Sequence, residues 1–286
     1  MTHAFANHPY ARMNGAGNEI IVLDLRAGQL AMTPDVSRAI GRGEGLRFDQ
    51  LMVLEAPRTP GTEAFVTIWN IDGSQAGACG NGTRCVAWTL LRDESRRDIV
   101  VETAAGLLAC TRIADMAFTV DMGAPRFGWA DIPLAHAVHD TAQVETGAPG
   151  MPPAAMASMG NPHAVFFLDD LAAHDLASLG PALEHHALFP QRANISFAQV
   201  LSRQNIKMRV WERGVGFTRA CGSGACAVLV SAVRCGLADR KATVSLPGGD
   251  LLIEWRAGDD HVLMTGPVEL EREGRFDPAL FETVPA

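Results

Sequence analysis

The feature that most constrains this chain is an internal repeat. Residues 79–82 read Cys-Gly-Asn-Gly and residues 221–224 read Cys-Gly-Ser-Gly, and a tryptophan lies at the same interval before each. A Gly-Asn pair at residues 17–18 and another at residues 160–161 are each followed by an apolar run, at almost the same offset. Chance readily produces one such repeated motif, but it hardly produces two in the same order. The sequence therefore predicts two homologous halves.

The length of the chain agrees with this division. A chain of 286 residues exceeds the usual size of one domain, so two domains are expected. We place the junction around residues 123–131, which gives an N-terminal half of residues 1–125 and a C-terminal half of residues 126–267. Each half then carries one of the two Cys-Gly-x-Gly turns.

Both halves combine short β-rich runs with few helices. Apolar runs predict strands at residues 20–24, 51–55, 64–69, 98–102, 107–113, 164–168, 195–201, 206–211, 243–246, 251–255 and 261–264. Helices are predicted at residues 81–92 and 223–234, and a shorter one follows Thr33-Pro34, a pair typical of a helix start. Residues 147–158, rich in Ala, Met, Pro and Gly, predict a loop. The expected fold class is α/β with mixed (α+β) sheets, each half a sheet wrapped about a central helix.

The composition excludes several classes of function. With 48% hydrophobic residues, 20% charged residues and a net charge of −8, the chain is globular and acidic, and no block of Lys or Arg marks a nucleic-acid surface. No apolar run reaches the length that spans a bilayer, and residues 1–12 show no secretion signal. We therefore expect a cytoplasmic protein whose partner is a small molecule, not a nucleic acid or a membrane.

Six cysteines lie at positions 79, 85, 110, 221, 226 and 235. The cytosol would keep them reduced, so a disulfide framework is not expected. The close spacings of zinc motifs are absent, and the nearest pair, Cys221 and Cys226, would point to different faces of a helix. We therefore expect no metal site. The four cysteines assigned to the core are Cys85, Cys110, Cys226 and Cys235.

Each Cys-Gly-x-Gly turn places a cysteine at the start of a predicted helix. The positive end of the helix dipole and the N–H groups there favour a thiolate and can cradle a carboxylate. Two cysteines facing one pocket suit the inversion of an acidic C–H carbon, because one thiolate takes the proton while the other thiol supplies one to the opposite face. Cys79 and Cys221 are thus the candidate catalytic pair, with no cofactor required. Two buried structural cysteines are the competing interpretation.

Polar residues near the repeated turns are candidate substrate ligands. Those at strand ends or turns are Asn18, Asn70, Asn161, Asn194, Glu212 and Arg213. Arg213 and the asparagine amides could bind a second carboxylate, and Glu212 could bind ammonium groups. Each residue alone could instead satisfy local backbone or form a surface pair. His163 is a candidate auxiliary for proton transfer or a hydrogen-bonded structural histidine.

These motifs resemble those of the diaminopimelate epimerases over nearly the whole chain. The matching segments are residues 13–18, 70–74, 79–85, 160–163, 212–214, 220–226 and 264–267. The resemblance implies interconversion of LL- and meso-diaminopimelate without a cofactor, a step towards lysine and bacterial cell-wall peptide. It also implies two pseudo-symmetric halves, each a mixed sheet rolled round a helix, with the active site between them. A C-terminal strand, within residues 268–286, would return to the first half.

The resemblance also carries residue roles. It implies Cys79 and Cys221 as the acid–base pair. The implied substrate contacts are Asn18, Gln50, Asn70, Asn161, Asn194, Glu212 and Arg213. Backbone amides that would hold the reacting carboxylate are those of Gly80, Asn81, Gly222 and Ser223. A homodimer is the expected assembly.

Three places depart from the family pattern, and two other functions stay open. Phe217 stands where Glu is usual, Ala164 where Cys is common, and Glu-Ile at residues 19–20 where Asp-Phe is usual. A related two-cysteine racemase for another amino acid is one alternative, although a smaller substrate would leave Arg213 and the asparagines unpaired. A thiol-redox protein is the other, and it does not explain the carboxylate-binding set. A purely binding paralogue is disfavoured because both cysteines are present.

Overall fold

The computed structural model describes residues 3–28, 30–77 and 79–284. The chain forms two compact units, one of Met1–Val120 with Gly266–Ala286 and one of Asp121–Thr265. Each unit has its own cluster of buried apolar side chains. Each is therefore described by itself.

The first unit contains a mixed sheet and two helices. Its strands are β1 (Pro9–Gly15), β2 (Asn18–Asp24), β3 (Gln50–Glu55), β4 (Phe65–Asn70), β5 (Gln75–Ala76), β6 (Asp98–Thr103), β7 (Gly106–Ala114) and β8 (Ala117–Asp121), and its helices are α1 (Pro34–Arg42) and α2 (Gly80–Leu91). Parallel pairs join β2 to β3 and β4 to β6, while β1–β2, β3–β4, β6–β7 and β7–β8 are antiparallel. Helix α2 lies against β1, β2, β3 and β7, and eleven of its twelve residues are buried. A helix buried on nearly every side is enclosed by its sheet.

The second unit repeats this plan. Its strands are β9 (Ala155–Ser158), β10 (Pro162–Phe167), β11 (Asn194–Ser202), β12 (Asn205–Glu212), β13 (Gly216–Thr218), β14 (Lys241–Leu246), β15 (Gly249–Trp255) and β16 (Val262–Pro267), and its helices are α3 (Leu176–Glu184) and α4 (Gly222–Arg234). Parallel pairs join β10 to β11 and β12 to β14, while β9–β10, β11–β12, β14–β15 and β15–β16 are antiparallel. Helix α4 packs against six of these strands, and ten of its thirteen residues are buried.

The pairing order is the same in the two units. From β2 to β7 and again from β10 to β15, the pairs run parallel, antiparallel, parallel and antiparallel. A short antiparallel strand, β5 or β13, adds to β4 or β12 just before the central helix. The predicted α/β class, with two pseudo-symmetric mixed halves each built round a helix, is confirmed.

The chain ends in the first unit. A last strand, β17 (Glu269–Arg275), pairs antiparallel with β1, and a short 3-10 turn follows at Pro278–Phe281. Phe276 and Phe281 are buried in the apolar cluster of this unit. Residues 285 and 286 of the expected C-terminal segment lie outside the described residues. Among the residues that are described, no helix is both long and apolar enough to cross a membrane.

Two local predictions are wrong. The loop expected at residues 147–158 ends in strand β9, whose four residues are all buried although the segment Ala-Met-Ala-Ser has few strand-forming residues. The core assignment fails for Cys235, which is half-buried at the end of α4, where it donates to the Ala142 carbonyl oxygen at 3.6 Å. Cys85, Cys110 and Cys226 are buried as expected.

Candidate active site

Cys79 is the N-cap residue of α2. Its backbone is extended, with φ −149° and ψ 94°, and its Sγ accepts the Gly82 N–H at 3.3 Å. The Cys79 thiol also donates to Gln50 Oε1 at 3.4 Å. The side chain is partly exposed. The first predicted cysteine is therefore held at a helix start by one amide and kept accessible.

Cys221 has the same backbone position in the second unit. It is the N-cap of α4, with φ −146° and ψ 106°, and is only 7% exposed. Burial, followed by the charge of Glu212, raises the pKa of the Cys221 thiol well above its ordinary value, and hydrogen bonds from Ser223 and the Gly224 amide are outweighed. The helix start was expected to favour a thiolate here. At Cys221, burial and the Glu212 charge act against this effect and favour the thiol.

The second glycine of each turn gives room beside the site. A Cβ added at Gly224 would lie 3.2 Å from Cys221 Sγ, and one at Gly82 would lie 2.5 Å from Met52 Sδ. Both contacts are closer than ordinary van der Waals packing allows. The repeated Cys-Gly-x-Gly sequence thus reflects space needed around a sulfur as well as access for a ligand.

A directional hydrogen-bond relay holds Asn18 and Asn81 in the first unit. Arg84, which is fully buried, donates to Asn81 Oδ1 at 3.0 Å, and Asn81 Nδ2 donates to Asn18 Oδ1 at 2.5 Å. Asn18 Nδ2 then donates to Asp49 Oδ2 at 3.3 Å. A guanidinium only donates and a carboxylate only accepts, so both ends fix the orientation of the two amides. Each Nδ2 carries a second hydrogen, a donor suited to a carboxylate.

Gln50 and Asn70 lie directly opposite each other on β3 and β4. Gln50 accepts the hydrogen bond from Cys79, and Asn70 Nδ2 donates to Ser74 Oγ at 3.0 Å. Gly80 and Asn81 are the first two residues of α2. All six candidate residues of the first unit therefore belong to one connected neighbourhood around the start of its central helix.

His163 connects Asn161 to the start of α4. Its Nε2 lies 3.0 Å from Asn161 Oδ1 and 3.1 Å from Ser223 Oγ, and Asn161 Nδ2 donates to the same hydroxyl at 3.3 Å. Asn161 Oδ1 can only accept, so Nε2 carries the proton. Burial, helped by the charge of Arg213, lowers the pKa of His163 to about 3. The imidazole is neutral, which favours the structural interpretation over an acid–base role.

A turn at the end of β12 carries Glu212 and Arg213. Asn194, which is buried, accepts the Arg213 backbone N–H at 3.0 Å through Oδ1 and donates to the Pro162 carbonyl oxygen at 3.0 Å. The Arg213 guanidinium is exposed and donates to the Gln191 carbonyl oxygen at 3.2 Å. Thr218 donates to the Glu212 carboxylate. Asn194 thus anchors the backbone of the turn and lies beside Arg213.

Two candidate residues of the second unit, Asn161 and His163, contact the start of α4 directly. Gly222 and Ser223 open α4, and the contacts of Ser223 tie Asn161 and His163 to it. Sequence reasoning missed Arg84 and Asp49, the two ends of the relay in the first unit. A signal was present, since an arginine inside an apolar helix needs polar partners. Within the described ranges, no group of three or more His, Cys, Asp or Glu side chains could hold a metal ion.

Comparison with known proteins finds similarity over nearly the whole chain. A family model described as diaminopimelate epimerase matches residues 10–128 and 155–271. The chain is 56% identical over 281 residues to the diaminopimelate epimerase of Methylocella silvestris, covering 96% of this chain and 97% of that protein. It is 53% identical over 285 residues to the diaminopimelate epimerase of Nitrobacter hamburgensis, covering 98% of each.

Solved structures share the fold at low identity. A hydroxyproline epimerase from Agrobacterium vitis, with bound trans-4-hydroxy-L-proline, superposes with a TM-score of 0.67 at 15% identity, covering 96% of this chain and 92% of that one. A phenazine biosynthesis protein of the PhzF family from Bacillus anthracis gives a TM-score of 0.67 at 14% identity, covering 94% and 98%. These solved structures therefore share the fold of this chain, although they carry different names.

Proposed function

Since this chain belongs to the diaminopimelate epimerase family, and is therefore an amino-acid epimerase, we propose that it interconverts LL-2,6-diaminopimelate and meso-2,6-diaminopimelate. The observation that carries the proposal is the matched placement of two cysteines. Each unit has a cysteine as the N-cap of its central helix, with nearly the same backbone angles. Each cysteine is followed by a Gly-x-Gly segment whose amides open the helix.

The proposed reaction uses Cys79 and Cys221 as the two proton-transfer groups. The thiolate of one takes the α-proton, and the electron pair of the broken C–H bond passes into the neighbouring carboxylate. The thiol of the other gives its proton to the opposite face of the carbon and becomes the thiolate. Amides of Gly80, Asn81, Gly222 and Ser223 stabilise the charge that develops on the carboxylate. No cofactor takes part in this scheme.

The surroundings of Cys221 support the thiol as its resting form. Burial and the Glu212 charge hold Cys221 as a thiol, which is the form that donates a proton. We assign Cys221 the acid role when Cys79 removes the α-proton. The roles exchange in the reverse direction, as microscopic reversibility requires.

The remaining polar residues fit a substrate with a second amino-acid head. The exposed Arg213 guanidinium would bind the distal carboxylate, helped by the amides of Asn70, Asn161 and Asn194. Glu212 would accept hydrogen bonds from ammonium groups. Asn18 and Gln50 complete the set near Cys79. His163, being neutral and fully buried, would hold Asn161 and Ser223 in position rather than carry protons.

Family membership also supports a biological setting. The reaction would supply a precursor of lysine and of peptidoglycan, in the cytoplasm, and the protein would act as a homodimer. The two compact units would be the two domains, with β17 completing the first.

The proposal is tested by solvent-proton incorporation. LL-diaminopimelate is incubated with the enzyme in D₂O, after dialysis against a chelator to remove loosely bound metal. The expected product is meso-diaminopimelate with one deuterium, at the inverted α-carbon only. L-proline and L-histidine serve as control substrates and should show neither inversion nor exchange. Absence of meso product, or faster turnover of a control substrate, would contradict the assignment.

A further inference from the structure

Glu184 occupies a position that gives a carboxylate little stability of its own. It is the last residue of α3 and is only 3% exposed, beside the apolar cluster of the second unit. Removing a carboxylate from water is costly, and a negative charge at a helix C-terminus is opposed by the helix dipole. Its partners must therefore compensate for both effects.

Those partners come from the segment that follows β12. Glu184 Oε2 accepts the Trp211 indole N–H at 2.7 Å, and Oε1 accepts the Gly214 backbone N–H at 2.8 Å. These hydrogen bonds outweigh burial and leave the pKa of Glu184 below its ordinary value, so the group is ionised. Arg192 Nη1 adds an ion pair at 3.6 Å. Both carboxylate oxygens thus accept hydrogen bonds from residues that flank Glu212 and Arg213.

The flanked segment is a tight turn with two side-chain anchors. The Val215 N–H donates to the Glu212 carbonyl oxygen at 3.0 Å and closes the turn, and Gly214 adopts a left-handed φ of 76°. The Arg213 N–H is held by Asn194 Oδ1 at 3.0 Å, and the next amide, at Gly214, is held by Glu184. Two successive amides are therefore fixed by two buried side chains from different elements.

Trp211 also connects helix α3 to the Glu212–Arg213 turn. A Cβ on Gly180 of α3 would lie 2.6 Å from the Trp211 ring, so the indole packs directly on the helix that ends at Glu184. The ring also makes an edge contact with Phe217, at 5.2 Å between centroids. Helix α3 therefore positions both ends of the turn, through packing at Trp211 and through the carboxylate at Gly214.

We propose that Glu184 is a positioning residue that fixes the Glu212–Arg213 turn and thereby sets the affinity for the distal head of the substrate. The inference rests on the proposed function, because it assumes that Arg213 binds that head. Glu184 itself touches no reacting atom. Its contribution would pass through the Gly214 amide and the Trp211 indole.

The first test is a double-mutant cycle read in KM. Glu184→Gln keeps the shape but places an NH₂ against one of the two N–H donors, so one anchor is lost. In the wild-type background we expect KM for diaminopimelate to rise roughly tenfold, and in an Arg213→Ala background less than about twofold. A merely structural role would lower the amount of active enzyme equally in both backgrounds and leave KM unchanged, which would overturn the proposal. Ala182→Ser, at an exposed position of the same helix, is the matched control.

The second test does not depend on activity. Hydrogen exchange of the segment containing Gly214, measured by mass spectrometry, should speed up in Glu184→Ala but not in Ala182→Ser, because only the first variant removes the acceptor of the Gly214 amide. If Glu184→Gln fails to fold, Trp211→Phe removes the indole donor alone and should raise KM by a smaller factor. Faster exchange without any turnover of diaminopimelate by wild type would refute the proposed function and leave only the anchoring. Unchanged exchange would refute the anchoring itself.

Discussion

The negative charge of the Glu212 carboxylate acts on the Cys221 thiol in a site where the sulfur is buried. Burial and this negative charge act in the same direction, and both raise the pKa of Cys221. The helix N-terminus acts in the opposite direction and is outweighed. A cysteine at a helix start is therefore not a thiolate by position alone, because burial and a neighbouring carboxylate also set its resting form.

Removing the charge of Glu212 should lower the pKa of Cys221. In Glu212→Gln the amide cannot repel the thiolate, so Cys221 should react with iodoacetamide at lower pH than in the wild type. The measurement is the pH dependence of alkylation at Cys221, followed by peptide mass spectrometry. Glu254→Gln is the control, since Glu254 pairs with Lys241 at 2.8 Å on the surface. An alkylation profile that does not move in Glu212→Gln would show that its charge does not act on Cys221.

Replacing either Cys79 or Cys221 by alanine should stop epimerisation. Each face of the α-carbon has one proton-transfer group in the proposed scheme, so we expect a loss of at least about a hundredfold in kcat. A serine replacement leaves a much weaker base and should retain residual activity at most. Cys235→Ala is the matched control, because this half-buried thiol lies at the other end of α4. Wild-type turnover by Cys79→Ala would exclude the two-base scheme.

His163 should make the protein less stable in acid. Its pKa falls from 6.5 to about 3 on folding, so the neutral form is favoured in the folded state. The associated stability is present above pH 6.5 and is lost as the pH falls towards the folded-state pKa. Between pH 6.5 and 5, the unfolding free energy of His163→Gln should therefore fall by roughly 2 kcal/mol less than that of the wild type. Urea unfolding at several pH values measures this, with exposed His139→Gln as control. Equal pH dependence in wild type and His163→Gln would be inconsistent with a buried neutral imidazole.

Gly15 should be intolerant of a side chain. A Cβ there would lie 2.9 Å from the backbone oxygen of Asn81, in the first turn of the buried helix α2. Gly15→Ala should therefore cost about 1–3 kcal/mol in unfolding free energy and raise KM, because the Asn81 amide is displaced. Gly258→Ala, with nothing within 4 Å of the added Cβ, is the matched control. Equal melting temperatures for the two variants would mean that the chain relaxes at Asn81 without cost.

The architecture and the candidate cysteines could be predicted from the sequence because they leave periodic signals. Repeated turns and apolar runs identified both central helices and most strands. Helix α3 was not predicted, since Pro181 lies inside it and Gly180 precedes that proline. Strand β9 lacks β-branched residues and depends on pairing with β10. Both elements form because tertiary contacts override local propensity.

The sequence supplied candidate residues for the site but not the electrostatics around them. Spacing alone suggested thiolates at both helix starts. Whether Cys221 is ionised depends on its burial and on the charge of Glu212, and the Cys-Gly-x-Gly spacing indicates neither. The Arg84–Asp49 relay was missed for the same reason, because Asp49 and Asn18 meet only through the folded chain.

Both central helices begin with a sulfur at a position where most helices begin with an oxygen. Cys79 accepts the Gly82 amide at 3.3 Å, yet serine, aspartate and asparagine are the side chains that best stabilise a helix start. Replacing either cysteine by serine would therefore favour the folded state by about a few tenths of a kcal/mol while removing a proposed proton-transfer group. Thermal stability and turnover make opposite demands on these two positions. Selection for melting temperature alone would favour serine at residues 79 and 221. The resulting protein would be more stable but would lack both proposed proton-transfer groups.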